Sequence, residues 1–382
     1  MRAARRALLA GLAGGLAAGL SAALTPGLAW GDSRGAGEGR RSDPIRQRWP
    51  TGNSRLAPPG LAGDGLAGDQ VLYAGDRTIG AISIRGERLP WQAPHGLASA
   101  AVFRPRTAGA HLVCGGLHDI GCWGLDDHAP HCAPVWRYRA RTQLGVPLVS
   151  AERTYLGDGH EVVALETRSG ETLWRFAATP DTQISFSPAM SGDVLFVGPG
   201  DGSLYALGAA DGALRWSLDG RAQWKYLRQL QVSGEVLVAG GYLERLYGLS
   251  TLDGSVLWSF NAGNFINSYC VAAGTAYLWS PTGWLCAVDA QGGEVRWRHR
   301  TSDYGEAAAN WAAVLAELAV QGGRLYALAM DHVLHVLNAE NGAALGRLAL
   351  PEPVRPAVLP VPGVGAVLAA AQGDLILLDD VA

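Results

Sequence analysis

From Gln70 to the end of the chain, short apolar runs alternate with turns rich in Gly and Asp. In Ser203–Trp216, SLYALGAADGALRW, Leu204 to Leu207 form one apolar run. Asp211-Gly212 turns the chain, and Leu214-Arg215-Trp216 opens a second run that ends on a large ring. Apolar runs of four to six residues around an Asp-Gly turn predict a β-hairpin. Alternation along the strand places Leu204 and Ala206 on one face and Tyr205 and Leu207 on the other, so the sheet is apolar on both sides. Such a sheet has to be sandwiched.

The same phrase recurs as VVALETRSGETLW, LYGLSTLDGSVLW and LCAVDAQGGEVRW, and Trp174, Trp216, Trp258 and Trp297 follow at steps of 42, 42 and 39 residues. A period of that length marks stacked supersecondary units. Eight copies can be laid along the chain. The first ends at Trp91, and the second at Trp136 with an insertion, DDHAPHCA, ahead of its last strand. The seventh carries Leu345-Gly346 in place of the Trp, and the eighth, residues 366–380, stops after its third strand. The expected fold is therefore all-β: an eight-bladed propeller of four-stranded antiparallel blades. A ring needs its last blade closed, so part of Ile45–Leu56 is expected to supply the missing strand from the other end of the chain. Trp91, Trp136, Trp174, Trp216, Trp258 and Trp297 each bring on the order of 200 Å² to bury, which makes them expected clamps between blades. First strands are expected at FSPAM (186–190) and QLQVS (229–233).

Composition narrows the function classes. With 48% hydrophobic and 17% charged residues in 382, the chain can bury a core, and a net charge of −3 supplies no basic field for nucleic acid. The N-terminal segment differs from the repeats. Arg2, Arg5 and Arg6 precede an apolar run, Ala7–Ala23, and Gly27-Leu28-Ala29 offers small residues for cleavage. Residues 1–30 are expected to be an export signal, either twin-arginine or general secretory, with a membrane anchor as the alternative. Residues 31–44 form a polar Gly- and Arg-rich linker, leaving 45–382 as a single propeller domain. The expected mature protein is a monomer without a membrane span, in the periplasm or secreted.

The phrase LYALxxxDGxxxW resembles the quinoprotein-type, pyrroloquinoline-quinone-like β-propeller repeat, strong in four copies and degraded in the rest. The blade count and length are similar to the scaffold lipoproteins of the outer-membrane β-barrel assembly machinery, although no Cys stands near the cleavage site for a lipid anchor. This resemblance implies one of two functions: a non-catalytic, protein-binding scaffold in the cell envelope, or a small quinone-dependent alcohol or sugar dehydrogenase. The dehydrogenase would need a quinone stacked on a Trp in the central channel. It would also need a calcium or lanthanide ion held by Glu, Asn and Asp, an Asp base, and commonly a disulfide between adjacent Cys. No two Cys are adjacent here. The scaffold reading needs no cofactor and is the one expected.

Binding groups in a propeller gather in the loops between blades. The candidates are Gln183, Trp224, Lys225, Tyr226, Arg228, Asn264, Asn267, Asp303, Glu306, Asn310 and Trp311. In the loop Thr301–Gly323, AAANWAAVLAEL is expected to form a short helix.

The second copy concentrates Cys114, Cys122 and Cys132 with His111, His118, His128 and His131. Oxidising surroundings after export favour a disulfide. Pairing Gly115 with Gly121 sets Cys114 opposite Cys122, with Cys122–Cys132 as the competing bridge. A copper or zinc site from His118, His128, His131 and Cys132 gives a third function, metal handling, and free side chains are the last alternative. Cys270 and Cys286 are expected in the first and third strands of one blade as buried small hydrophobes. Asp331-His332 with His335 is expected at a solvated strand end rather than in an acid–base pair.

Overall fold

The computed structural model describes residues 45–62, 70–84, 91–125, 133–178, 182–220, 227–241, 245–263, 266, 268–280, 283–301, 318–328 and 333–379. Within the compact unit Pro44–Ala382, every regular element among the described residues is a strand, and the strands form eight four-stranded antiparallel sheets. Blade 1 spans Gly60–Pro94, blade 2 Arg106–Arg139, blade 3 Leu148–Ala177 and blade 4 Ala189–Asp219. Blade 5 spans Leu227–Asn261, blade 6 Ser268–Arg300 and blade 7 Ala319–Ala349. Blade 8 combines Val354–Leu378 with the N-terminal strand Ile45–Trp49, which pairs Gln47 with Leu377 and Trp49 with Leu375. The expected closure is thus present.

Two-faced alternation also holds. Leu204 and Ala206 pack with Phe196, Leu237 and Leu249 between blades 4 and 5, while Leu207 and Tyr205 pack with Val162, Ala164 and Leu195 between blades 3 and 4. The core is therefore a series of slabs between blades, each built from facing strands of two neighbours. Blade 4's first strand is Ala189–Ser191, which shares only Ala189 and Met190 with the expected run and leaves 186–188 outside it. Blade 5's runs Leu227–Ser233, around the expected one. The stretch expected to form a helix, apart from Leu318, lies outside the described residues.

Each Trp clamp has two parts. The indole Nε1 of Trp136, Trp174, Trp216, Trp258 and Trp297 donates to the carbonyl of Thr167, Ala209, Thr251, Ala290 and Ala339 in the following blade, at 2.8–3.1 Å. The ring itself lies on that blade's turn glycine: Gly170, Gly212, Gly254, Gly293 and Gly342. These glycines have φ between 70° and 82°, and an added Cβ would fall 2.5–2.8 Å from the indole. Glycine is needed there twice, for the left-handed turn and for the close approach. The repeat phrase therefore records a contact between successive copies, since the Gly of one blade receives the Trp of the blade before it. Tyr155 and Tyr277 reinforce two clamps by donating to the same Ala209 and Ala339 carbonyls.

The missing Trp of the seventh copy has the same explanation. Gly346 pairs with Val336 at the position that Trp297 holds opposite Ala287. A Trp there would reach for the turn between the third and fourth strands of blade 8. Those strands come from opposite ends of the chain, so blade 8 has no such turn. With no glycine or carbonyl to receive it, the ring has no task.

Candidate binding face

In an antiparallel four-stranded blade, the loop from strand two to strand three and the loop leading to the next blade emerge at the same end. In blades 1 to 3 an Asp joins these two loops. Asp76 accepts the amides of Ser54 and Arg55 at 2.8 and 3.3 Å. Asp119 accepts the amide of Ala98 at 2.6 Å and the hydroxyl of Ser99 at 3.0 Å. Asp158 accepts the amides of Arg141 and Thr142 at 3.0 and 3.2 Å, and the Tyr138 hydroxyl at 2.8 Å. Asp119 and Asp158 are buried. Burial opposes ionisation of Asp76, yet the amides it accepts hold it below the ordinary carboxylate range. These carboxylates were not among the sequence candidates. Their signal was the Gly-Asp pair closing a second strand, at Gly75-Asp76 and Gly157-Asp158.

A charged network extends from Asp158 toward the outer strands. Arg175 donates to the Tyr138 hydroxyl at 2.9 Å and to Glu161 at 3.1 Å, and Glu161 also accepts from Arg141 at 3.0 Å. Arg175 further covers the Tyr138 ring at 5.7 Å. Burial, then the Asp158 contact, raises the Tyr138 pKa. Every charge in this network has its partner, so it braces the loops.

Of the sequence candidates, Gln183 sits half-buried in the loop from blade 3 to blade 4. That loop is pinned by the Ile184 amide on the Gly159 carbonyl at 2.7 Å, with Ile184 fully buried. Arg228 has its backbone in the first strand of blade 5, paired with Gly240. Trp224, Lys225, Tyr226, Asn264, Asn267, Asp303, Glu306, Asn310 and Trp311 lie outside the described residues.

The Cys and His of the second copy separate. The turn between Gly115 and Ile120 holds four residues, closed by the Gly116 amide on the Asp119 carbonyl at 2.9 Å. Cys114 therefore pairs with Gly121 and Cys122 with Val113, one step from the expected register. One step moves a side chain to the other face. Cys114 accordingly packs between blades 1 and 2, Cys122 between blades 2 and 3, and both are free thiols. The expected Cys114–Cys122 bridge does not form. Burial pushes both thiols up, Cys122 to about 12. His118 is exposed in the second-to-third-strand turn, and His111 lies at the far end of the strand. His128, His131 and Cys132 lie outside the described residues. Among the described residues, no three His, Cys, Asp or Glu side chains converge to hold a metal.

Cys270 and Cys286 occupy the first and third strands of blade 6, where burial raises them to about 12 and about 11. Asp331 and His332 are outside the described residues. His335 is buried mid-strand, with its ring edge-on to Trp279 at 6.3 Å, instead of at a solvated end. A channel-bound quinone would need an aromatic platform and metal donors. None of the described first strands, which lie next to one another around the channel, carries a Trp. The described part of the ring does not assemble that donor set.

Eight four-stranded blades, those from blade 2 to blade 7 locked ring to glycine, define a β-propeller built from pyrroloquinoline-quinone-like repeats. The sequence model of the family described as outer membrane protein assembly factor BamB matches residues 76–259, 158–343 and 281–380, and the chain belongs to that family. A search of curated proteins finds no match. Among solved structures, BamB from Moraxella catarrhalis is similar at 13% identity over 72% of this chain and 94% of that one, with a TM-score of 0.53. Sqt1 of Chaetomium thermophilum, solved bound to the N-terminus of ribosomal protein L10, is similar at 14% identity. That match covers 88% of this chain and 100% of the other, with a TM-score of 0.71. A computationally designed protein, Ika8, is similar at 13% identity over 85% and 96% of the two chains, with a TM-score of 0.70. At these identities the likeness is one of fold.

Proposed function

We propose that the chain is an exported, non-catalytic scaffold that docks a protein partner on the face carrying the loops 219–230, 261–269 and 301–314. The observation behind this reading is where the copies depart from their shared phrase. The described clamps and carboxylates serve the ring, and Trp224, Lys225, Tyr226, Arg228, Asn264, Asn267, Asp303, Glu306, Asn310 and Trp311 fall in those loops. Family membership supports a role in assembling other proteins, and a propeller solved with a bound peptide terminus shows the fold used that way. Export rests on Arg5-Arg6 and the apolar run Ala7–Ala23, and the mature protein acts as a monomer in the periplasm or outside the cell.

Affinity purification of the tagged chain from its native envelope tests this reading. One stoichiometric partner should be recovered by the wild type and lost in a Trp224→Ala, Tyr226→Ala, Trp311→Ala variant whose melting temperature is unchanged. A quinone absorbance retained after adding pyrroloquinoline quinone and calcium, with dye reduction by alcohols or sugars, would instead establish a dehydrogenase.

A further inference from the structure

Two grooves between outer strands share one arrangement and differ in their oxygen atoms. In the groove of blades 2 and 3, Arg175 covers the Tyr138 ring at 5.7 Å and donates to the Tyr138 hydroxyl and to Glu161. In the groove of blades 5 and 6, Arg298 covers the Phe260 ring at 5.6 Å. The places correspond. Arg175 and Arg298 each follow a clamp Trp, and Tyr138 and Phe260 each stand two residues past one. Arg175 pairs with Val163 as Arg298 pairs with Cys286, and both partners pack into the slab of the same groove.

The acceptors do not correspond. Two residues back along the third strand, the place of Glu161 is held by Trp284, and Phe260 has no hydroxyl. The place of Ala177 is taken by Arg300, which covers the Trp284 ring at 5.7 Å. Arg298 and Arg300 are two residues apart on one strand, so they share a face at a spacing of roughly 7 Å. Among the described residues, exposed Arg298 has no hydrogen-bond or ion-pair partner. A guanidinium lying on a ring keeps its N–H edge free for a carboxylate, and less freedom is lost when that bond forms. Phe260 and Arg300 also stand one residue ahead of the loops 261–269 and 301–314.

We propose that the groove between blades 5 and 6 receives an acidic side chain of the protein partner. Arg298 is the forked donor to its carboxylate, Trp284 carries its methylene groups, and Arg300 adds positive charge beside it. A carboxylate is the group that fits, because Glu161 fills the corresponding place in the groove of blades 2 and 3. This deepens the scaffold reading and rests on it for the source of the acidic group.

The test titrates the full mature chain with a fluorescein-labelled hexaglutamate peptide and with its hexaglutamine counterpart, following anisotropy at low and at high salt. Hexaglutamate should bind saturably, more weakly as salt rises, and hexaglutamine should not bind. Arg298→Gln, with an unchanged melting temperature, should bind hexaglutamate about tenfold more weakly. Arg298→Lys keeps the charge without the fork and should fall between. Arg215→Gln removes an equal charge from the exposed start of blade 4's outer strand and should bind as the wild type does. The proposal is overturned if hexaglutamate gives no saturable binding, if Arg298→Gln binds it as the wild type does, or if Arg215→Gln weakens it equally. The titration needs no native partner, so an affinity purification that recovers nothing would count against the scaffold reading alone. A recovered partner that Arg298→Gln still holds would count against this groove alone.

Discussion

The ring is held in two different ways. From blade 2 to blade 7, each junction is fastened by an indole on a left-handed glycine with a hydrogen bond to the neighbouring backbone, five times over. Among the described residues no such clamp joins blade 7 to blade 8 or blade 8 to blade 1, and strand pairing and polar contacts hold the ring there. Ile45–Trp49 completes the blade 8 sheet, the Thr51 hydroxyl donates to the Gly373 carbonyl at 2.6 Å, and Arg48 pairs with Asp374 at 3.1 Å and with Glu352. Asn53 is the hub. Its Oδ1 accepts the Arg77 and Thr78 amides, both at 2.9 Å, and its Nδ2 donates to the Thr51 and Thr78 hydroxyls at 3.0 and 2.8 Å. Where the copies are contiguous, one turn can receive one ring. Where the chain ends meet there is no turn, and stability has to come from many small contacts.

Breaking the seam should cost most. Deleting residues 45–49 strips blade 8 of its outer strand and exposes the edge of Leu375–Leu378. A fall in melting temperature of more than about 10 °C is expected by differential scanning calorimetry, and an unchanged value would show that closure is not needed. Next is the clamp. Trp258→Ala removes a buried ring and a hydrogen bond and should cost about 3–5 kcal/mol in urea unfolding. Gly346→Trp sharpens the contrast. If the clamp needs a receiving turn, this substitution should give no stabilisation and lose about 1–3 kcal/mol to crowding, whereas a gain would mean the indole alone suffices. Asn53→Ala leaves two amides short of an acceptor in a part-buried site and should lose about 1–3 kcal/mol by the same measurement.

The smallest effect is that of pH. Arg296, then the Gly292 amide, lowers Asp289, and the Ser255 contacts lower Asp253. Carboxylates held low contribute stability that is present above their unfolded pKa of about 4 and is lost as pH falls through the lower folded values. The thiols act in the other direction. Cys122, Cys270 and Cys286 are raised by burial, so their contribution is full below the unfolded value of about 8.5 and is lost as pH rises above it. Melting temperature should therefore be flat between about pH 5 and 8 and fall on both sides. A maximum outside that range would contradict these assignments.

The fold was legible because its main contact is written as a period. A Gly of one copy and a Trp of the copy before it must meet, so the spacing recurs along the chain. The truncated eighth copy likewise announced its N-terminal partner. The Cys114 register was not legible, because a turn of four residues and one of five differ only in which backbone groups meet, and Asp119 settles that from the adjoining loop. The Asp76, Asp119 and Asp158 ties were hidden for a related reason, since a carboxylate's use depends on amides about twenty residues away in sequence. Gln183, the one loop candidate described with its side chain, sits on a loop anchored by its apolar neighbour Ile184, whose role no polar pattern signals.

The closing strand has a consequence in time. Synthesis delivers Ile45–Trp49 near the beginning and Leu375–Leu378 at the end, so the two halves of one sheet are separated by nearly the whole of translation, tens of seconds at roughly 5–20 residues per second. Every other blade finds its strand partners within its own stretch of chain, and blades 2 to 6 are each clamped to the blade that follows. The strand that locks the circle is the first to be made and the last to be used.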